Sequence, residues 1–335
     1  MKEFLLIIFL LISFCLTAQK NDTHPYPTIS VDGSLKSKYE YAFATEKSRF
    51  SVRSSRIGVK GYFTKHFSYR GQLEISDNGS FKPLDLFAAF EPIEGLSLSF
   101  GQRTVPLFNS YVVIPADLMF SNRAFLGKYL LGTRDIGVLG QYDFEIAALP
   151  VSAELGLYNG NTINDPVWHH SPSYGGRLTF GRMKGWRSTY KFFNHTNQKN
   201  PDLHYWLYGA DLRYEADNWK IETELMKRNN KVVSNEKLLA YYLQGGYAFP
   251  LSSDFIFKNI VPALRWDGID QNSSEKGFDV NRLTVGLGFG LTEKYFSSIL
   301  RFDYERYFVN NRLDFMHLYP EMDSNKITVE LLLNF

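Results

Sequence analysis

Short segments in which apolar and polar side chains alternate are the dominant pattern of this chain. The last ten residues, Lys326 to Phe335, show it most clearly, because every second position from Ile327 onward is apolar. Successive side chains of a β-strand point to opposite faces, so this segment predicts a strand with one apolar and one mostly polar face. About ten residues of tilted strand are enough to cross a bilayer. A transmembrane barrel would need the same pattern many times.

The alternation recurs along the rest of the chain. Predicted strands cover residues 29–41, 57–63, 67–75, 84–90, 96–101, 136–142, 151–158, 174–181, 188–194, 205–214, 219–228, 240–249, 260–267, 281–291 and 296–304. Together with the last segment they predict about 16 strands.

The connections between these strands sort by length, which is a second and independent pattern. The predicted turns at one end are residues 64–66, 92–95, 143–150, 182–187, 215–218, 250–259 and 292–295. The connections at the other end are mostly longer and include residues 103–134, 159–173 and 305–325. Outer-membrane barrels have short periplasmic turns and longer extracellular loops, whereas a soluble sandwich gives no reason for such sorting. We therefore expect an all-β fold, a transmembrane antiparallel barrel.

Composition agrees with a barrel, and the N-terminus predicts export. Aromatic residues make up 16% of the chain, as aromatic girdles at two membrane interfaces require, and a mean hydropathy of −0.24 disfavours a helical membrane bundle. Lys2, the apolar run after it and Thr17-Ala18 predict a signal peptide over residues 1–18, followed by one barrel domain over residues 19–335. Cys15, the single cysteine, lies in that signal, so the mature chain would contain no disulfide.

The alternating charges are expected in the lumen, because an Arg or Lys facing lipid at mid-membrane costs about 2–4 kcal/mol. The basic set is Arg56, Lys60, Arg70, Arg177, Lys191, Arg213, Arg265, Arg282 and Arg301, and the acidic set is Glu74, Asp85, Asp211, Glu222, Glu224, Asp267 and Asp303. Two interpretations stay open: the charges pair across strands and solvate the wall, or a subset forms a path for anions. A barrel of about 16 strands leaves an aqueous channel in either case.

The connection from Arg103 to Arg134 is the longest interior one and is rich in apolar residues. We expect it to fold back into the lumen and to carry Arg103, Arg123, Lys128 and Arg134 with it; the alternative is a cap on the extracellular rim. Gly286, Gly288 and Gly290 lie within a predicted strand, where missing side chains would make room for such a loop.

Several short segments follow one another along the chain, namely Arg53–Gly61 (RSSRIGVKG), Gly101-Gln-Arg103 with Pro106, Ser121-Asn-Arg123, Arg134–Val138 (RDIGV), Tyr158-Asn-Gly160 and Gly175-Gly-Arg177. In this order they resemble the phosphate-selective porin O and P family of Gram-negative outer membranes. The resemblance implies a 16-stranded barrel, often a homotrimer, with an infolded third loop and a basic lumen that passes small anions. Phe335 resembles the signal that the barrel assembly machinery recognises. The balance of nine basic and seven acidic residues in the predicted lumen does not single out phosphate.

The expected function is that of a porin in the cell outer membrane, a water-filled channel for small hydrophilic solutes that prefers anions or phosphate. Its proposed anion path comprises Arg56, Lys60, Arg70, Arg103, Arg123, Lys128, Arg134, Arg177, Arg213, Arg265, Arg282 and Arg301. The alternative is a non-conducting structural or adhesin-type barrel plugged by its own loop. The seven His form no nucleophile or metal motif, and His169-His170 near Asp165 is interpreted as a solvated pair, so we expect no enzyme activity, no cofactor and no metal. A net charge of +2 gives no indication of a nucleic-acid partner.

Overall fold

The computed structural model describes residues 26–76, 78–182, 184–200, 202–233, 236–252, 256–271, 277–318, 322 and 324–335. The predicted signal peptide over residues 1–18 lies outside the described residues. The chain forms one closed antiparallel sheet, as the alternation predicts. Its 18 hydrogen-bonded segments make 16 barrel strands, because two of the strands are interrupted.

The strands follow one another around the barrel in chain order. They are β1 (Ser30–Ala42), β2 (Lys47–Ser51 and Ser55–Thr64), β3 (Phe67–Ile75), β4 (Phe81–Ile93), β5 (Leu96–Thr104), β6 (Arg134–Ile146), β7 (Leu149–Tyr158), β8 (Ser173–Gly181), β9 (Gly185–Thr196), β10 (His204–Ala216), β11 (Trp219–Asn230), β12 (Lys237–Tyr247 and Phe249–Pro250), β13 (Asn259–Gln271), β14 (Val280–Gly290), β15 (Ile299–Val309) and β16 (Lys326–Asn334). Every predicted strand is present.

Several strands run further than the alternation indicated, and the turn predicted over residues 143–150 is wrong. Strand β6 continues to Ile146 and β7 begins at Leu149, so the turn is Ala147-Ala148 alone. Both alanines have positive φ, 47° and 67°, as a two-residue turn of type I′ requires. Glycine or asparagine would have marked such a turn, and neither is present.

Strand β16 closes the barrel against β1, as predicted. The register runs from Ser34 opposite Asn334 to Ala42 opposite Lys326. Beyond it, the Gly33 N–H donates to the Phe335 carbonyl at 2.9 Å, and the Phe335 N–H donates to the Gly33 carbonyl at 3.1 Å. Closure leaves neither sheet edge unpaired, which a backbone in hydrocarbon requires.

The two faces of the wall are sorted as expected. On β16, Ile327 and Leu331 are exposed on the outside, while Lys326 and Glu330 are buried inside. Aromatic pairs ring both ends of the outer surface, with Trp186–Tyr214 and Trp219–Tyr247 at the end of the short turns and Tyr39–Phe50 and Tyr174–Trp206 at the other. No helix in the described part of the chain is long and apolar enough to span a membrane.

The connection between β5 and β6 lies inside the barrel. This inner loop, residues 105–133, contains the short helices α1 (Ser110–Val113) and α2 (Phe125–Tyr129) and a 3₁₀ turn, Pro115–Asp117. A second 3₁₀ turn, Met316–Leu318, lies between β15 and β16. The main apolar core of the molecule forms between the inner loop and the wall.

Candidate permeation pathway

The inner loop is packed against the inner wall of the barrel. Leu107, Leu126 and Leu130 have no exposed surface, and they belong to the same apolar cluster as Leu207 of β10 and Met226 of β11. If this loop extended into water, its apolar side chains would be exposed to solvent, which is unfavourable. The predicted infolding is confirmed, and the rim-cap alternative is wrong.

Basic side chains of the wall hold the backbone of this loop. Because most of the loop is not helical, many of its carbonyl groups need donors from elsewhere. The donors and their acceptor carbonyls are Lys36 to Ser121 (2.7 Å), Arg56 to Val113 (3.2 Å), Arg177 to Phe108 (3.1 Å), Lys220 to Asp117 (2.8 Å), Arg228 to Leu130 (2.8 Å), Arg265 to Asn122 (2.8 Å), Arg282 to Arg123 (2.8 Å) and Arg301 to Leu118 (2.9 Å). We call this set the loop clamp. It spans the wall from β1 and β2 to β15.

Carboxylates of neighbouring strands neutralise the clamp. Arg282 pairs with Asp267 at 2.6 Å and with Glu305 at 2.9 Å, and Arg301 pairs with Glu330 at 2.8 Å. A separate buried group joins Lys191 to Asp211 and Glu224 in the same manner. Cations and carboxylates therefore neutralise each other's charge behind the loop, as buried charges require.

Most of the predicted anion-path arginines belong to this buried set, which corrects their expected position in an open channel. The side chains of Arg213, Arg265, Arg282 and Arg301 are only 2–4% exposed. Arg56 and Arg134 are equally buried, and they pair with Glu74 at 2.9 Å and with Asp85 at 2.7 Å. The reason is the course of the inner loop, which covers them.

Of two more predicted residues, Arg177 holds the loop and Arg103 contacts only the wall. Arg177 pairs with Glu154 and also donates to Asn109 Oδ1 of the loop at 3.0 Å. Arg103, at the end of β5, donates to Ser99 Oγ at 2.7 Å, and its guanidinium lies 4.8 Å from the Phe87 ring centroid.

Part of the lumen is open beside Asp32 of β1, Lys60 of β2 and Arg70 of β3. Lys60 is 57% exposed although it points inward, and its Nζ lies 3.4 Å from Asp32 Oδ2. Arg70 donates to both oxygens of the same carboxylate, at 2.5 and 2.8 Å. These charges remain in contact with solvent.

A basic vestibule of about 540 Å³ lies above the inner loop, at the end of the lumen where the longer connections are. Its described lining includes nine basic residues, Lys36, Lys38, Arg49, Arg53, Lys82, Arg123, Lys128, Arg282 and Lys326, but only two acidic residues, Glu40 and Glu74. Three carboxylates behind the lining, Asp267, Glu305 and Glu330, pair with members of this set. Among these named residues the basic side chains exceed the carboxylates by four.

The inner loop brings two of its predicted cations, Arg123 and Lys128, to the floor of the vestibule. Arg123 donates to the Val113 carbonyl at 2.9 Å, and the Lys128 ammonium lies 4.9 Å from the Tyr129 ring centroid. Burial lowers the pKa of Arg123 to about 10, so the guanidinium keeps its charge at neutral pH.

Sequence reasoning missed the contribution of the first extracellular connection. Arg49 and Arg53 lie in or next to the first segment of β2, which the alternation did not reveal. A signal was present, because Lys47, Arg49, Arg53 and Arg56 form a basic stretch between the first two predicted strands.

The three glycines of β14 only partly make room for the loop. A Cβ at Gly286 would lie 2.9 Å from the ring of Phe120, so this glycine admits an aromatic side chain of the inner loop. At Gly288 and Gly290 the obstructing atoms belong instead to Ile299 and Asn259 of the wall. The prediction is therefore confirmed for Gly286 and wrong for the other two.

No group of three or more His, Cys, Asp or Glu residues is arranged to hold a metal ion among the residues that the structure describes.

No known family profile and no characterised protein sequence matches the chain. Its fold is similar to solved outer-membrane proteins. The outer membrane channel DcaP of Acinetobacter baumannii is 12% identical with a TM-score of 0.62, covering 94% of this chain and 99% of that chain. OmpF of Salmonella typhi, solved with daunomycin, is 14% identical with a TM-score of 0.63, covering 92% and 98%. An anion-selective porin from Comamonas acidovorans is 11% identical with a TM-score of 0.61, covering 92% and 100%.

At these identities the likeness concerns the fold. The chain is a closed 16-stranded antiparallel barrel of the outer-membrane porin type. The similar structures do not single out the phosphate-selective O and P family among porins.

Proposed function

We propose that this protein is an outer-membrane porin that passes small hydrophilic solutes by passive diffusion and prefers anions. The observation that carries the preference is the basic vestibule, where basic side chains outnumber by four the carboxylates that line it or pair with it from behind. A cavity lined by one sign of charge concentrates ions of the opposite sign and speeds their entry. The similar structure described as an anion-selective porin supports the same direction.

Phosphate is one of the anions that such a vestibule would attract. Arg and Lys side chains can replace water around a phosphate oxygen, and Arg can do so through two parallel hydrogen bonds. The charges behind the inner loop are balanced and buried, so we place phosphate recognition in the vestibule rather than along the wall. The predicted path then reduces to Lys60, Arg70, Arg123 and Lys128, with Arg49, Arg53 and Lys82 added.

Single-channel recording in planar bilayers tests this proposal. Replacing Arg53, Arg123 and Lys128 by Ala should shift the reversal potential in a potassium chloride gradient toward the cation side. A matched variant with Arg182, Lys184 and Lys294, at the periplasmic turns, replaced by Ala removes the same charge and should leave the potential near the wild-type value. Equal shifts in both variants, or cation preference in the wild type, would refute the vestibule as the selectivity site.

The plugged-barrel alternative rests on the tight packing of the inner loop, since Leu107, Leu126 and Leu130 are fully buried. The same recordings separate the two functions. A porin gives stepwise conductance in chloride and in phosphate, while a plugged barrel gives none in either salt.

Export, outer-membrane insertion and trimer formation belong to the same proposal. Phe335 is 62% exposed on the outside of the barrel, where the assembly machinery could bind it. Replacing Phe335 by Ser should lower the amount of folded barrel in the outer membrane, measured by its heat-modifiable migration in gels. Refolding of that variant in detergent should remain efficient, because both Phe335–Gly33 hydrogen bonds use backbone atoms. Native mass spectrometry would detect the homotrimer.

A further inference from the structure

A patch of four apolar side chains faces the lumen at the end of the barrel where the short turns are. The alternation of β13 and β15 places two of them on the same inward face as Arg265 and Arg301. The patch consists of Ala248, Val261, Ile299 and Leu332, which lie near the ends of β12, β13, β15 and β16 and are at most 5% exposed. Apolar groups that face a water-filled lumen would be in contact with water, which is unfavourable. This apolar patch therefore needs a cover.

The connection between β14 and β15, residues 291–298, covers the apolar patch, and we call it the inward turn. Tyr295 and Phe296 pack against the patch. A Cβ at Gly246 of β12 would lie 3.2 Å from the Phe296 ring, so this glycine makes room for the ring inside the barrel. Phe296 has a φ of 57°, which is unusual for a bulky side chain. Such a backbone conformation persists where the surrounding packing maintains it, and it recurs in functional segments.

The inward turn meets the inner loop inside the barrel. A cavity of about 10 Å³ lies between them, and its lining includes Leu118 and Met119 of the loop and Phe296 of the turn. This volume is no more than a single water molecule needs. The loop and the turn are therefore packed almost directly on each other, and they leave no room for a solute between them.

Lys220 of β11 connects the inward turn to the inner loop. Its ammonium group donates to the Asp117 carbonyl of the loop at 2.8 Å and lies 5.7 Å from the ring centroid of Phe296. The Glu222 carboxylate, at 3.4 Å, supplies the opposite charge. Only 4% of the Lys220 side chain is exposed, and a hydrogen bond in such a buried site is stronger than the same bond in water. The Phe296 ring therefore helps to keep water from a bond that positions the loop.

We propose that the inward turn is a latch for the inner loop, with Phe296 as a positioning residue that acts through Lys220. While the turn is folded in, residues 115–119 of the loop are supported from below and the bond from Lys220 to Asp117 stays dry. When the turn moves outward, water reaches Lys220 and the apolar patch, and this part of the loop loosens. The latch acts on the position of the loop and not on charge selection, because the basic vestibule lies above the loop.

Thiol labelling of the purified full-length protein in detergent tests the latch, with a charged maleimide as the probe. Met119→Cys places a thiol at the contact between loop and turn, where Met119 is 6% exposed. When Phe296→Asn is added, this thiol should be labelled about tenfold faster than in the parent, because local opening admits the reagent. Asparagine tolerates positive φ, so the turn keeps its backbone conformation while the ring is lost. Peptide mass spectrometry locates the label.

Two variants in the same Met119→Cys parent serve as controls. Phe249→Asn makes the same change on the outer surface at the same end of the barrel, where Phe249 is 50% exposed, and should leave the labelling rate unchanged. Phe296→Leu keeps an apolar cover and should give a rate close to that of the parent. Heat-modifiable migration verifies that each variant is folded. A ring that only added stability would lower the free energy of unfolding when removed, without changing the labelling of the folded barrel.

Lys220→Met tests whether Phe296 acts through Lys220. It should raise the labelling rate by itself, and the addition of Phe296→Asn should raise the rate little further; fully multiplicative effects would overturn the role of Lys220. The latch is overturned if Phe296→Asn is labelled no faster than Phe249→Asn. It is also overturned if Met119→Cys in the parent reacts as fast as Lys60→Cys, whose site is 57% exposed. Labelling needs no ion flow, so its outcome is independent of the proposed anion preference.

Discussion

The lumen has two sides that carry the same kinds of charge for different purposes. On the packed side, Arg265, Arg282 and Arg301 are covered by the inner loop, pair with carboxylates and donate to loop carbonyls. On the open side, Lys60 and Arg70 face a part of the lumen that the loop leaves free. Both sets occupy inward positions of alternating strands. The difference teaches that the course of the loop, and not the strand pattern, decides which charges can meet a solute.

The largest loss of stability is expected from Arg282→Ala, on the packed side. The substitution leaves Asp267 and Glu305 buried without their main partner and removes a donor to the Arg123 carbonyl. We expect a loss of about 3–5 kcal/mol in the free energy of unfolding, the usual cost of breaking a buried pair. Urea unfolding in detergent, followed by tryptophan fluorescence, measures it.

A triple variant shows whether the loss of stability arises from buried carboxylates that lack a cation. Adding Asp267→Asn and Glu305→Gln to Arg282→Ala should recover part of the lost stability, because the neutral side chains need no cation. A triple variant less stable than Arg282→Ala alone would contradict the assigned role of these carboxylates.

A smaller effect is expected from Leu126→Ala in α2 of the inner loop. Leu126 is fully buried, so its truncation should cost about 2–3 kcal/mol, toward the lower part of the range for Leu-to-Ala changes because the loop can relax into the space. The loosened loop should also raise single-channel conductance and current noise. Lys128→Ala in the same helix is the control, since Lys128 is exposed and its loss should leave stability nearly unchanged.

The smallest effect on stability is expected on the open side. Arg70→Ala removes a pair that solvent already screens, so it should cost no more than about 1 kcal/mol. The loss of stability caused by Arg70→Ala should decrease with added salt, whereas the loss caused by Arg282→Ala should persist. If Arg70→Ala destabilises the barrel as much as Arg282→Ala, the distinction between the two sides is wrong.

The strands could be predicted from the local sequence pattern. The position of the inner loop could not, because it depends on long-range packing. The alternation on β16 predicts the outward Ile327 and the inward Glu330 without any knowledge of neighbours, because strand geometry alone decides the face. The same alternation places Arg282 inside but says nothing about Phe125, whose ring centroid lies 4.5 Å from the Arg282 guanidinium. That contact joins two distant parts of the chain.

The balance of basic and acidic residues in the lumen shows the same limit of sequence-based prediction. The sequence predicted nine basic and seven acidic residues in the lumen, and the tally alone weakened the case for anions. In the folded chain most of that balanced set lies behind the inner loop, while Arg49, Arg53 and Lys82, which the tally did not include, add positive charge to the vestibule. Only the path of the loop could separate the two groups, and no local pattern encodes that path.

The two backbone hydrogen bonds between Gly33 and Phe335 have a consequence for the order of folding. They join residues that are about 300 positions apart, and contacts of such separation form late because the intervening chain must first lose its freedom. Hairpins within the wall can form from neighbours alone, but the ring stays open until the final residue arrives. A chain that lacks its last strand would keep both edges of the sheet exposed, and with them the hazard of pairing with another chain. Closure of the barrel therefore depends on the pairing of β16 with β1.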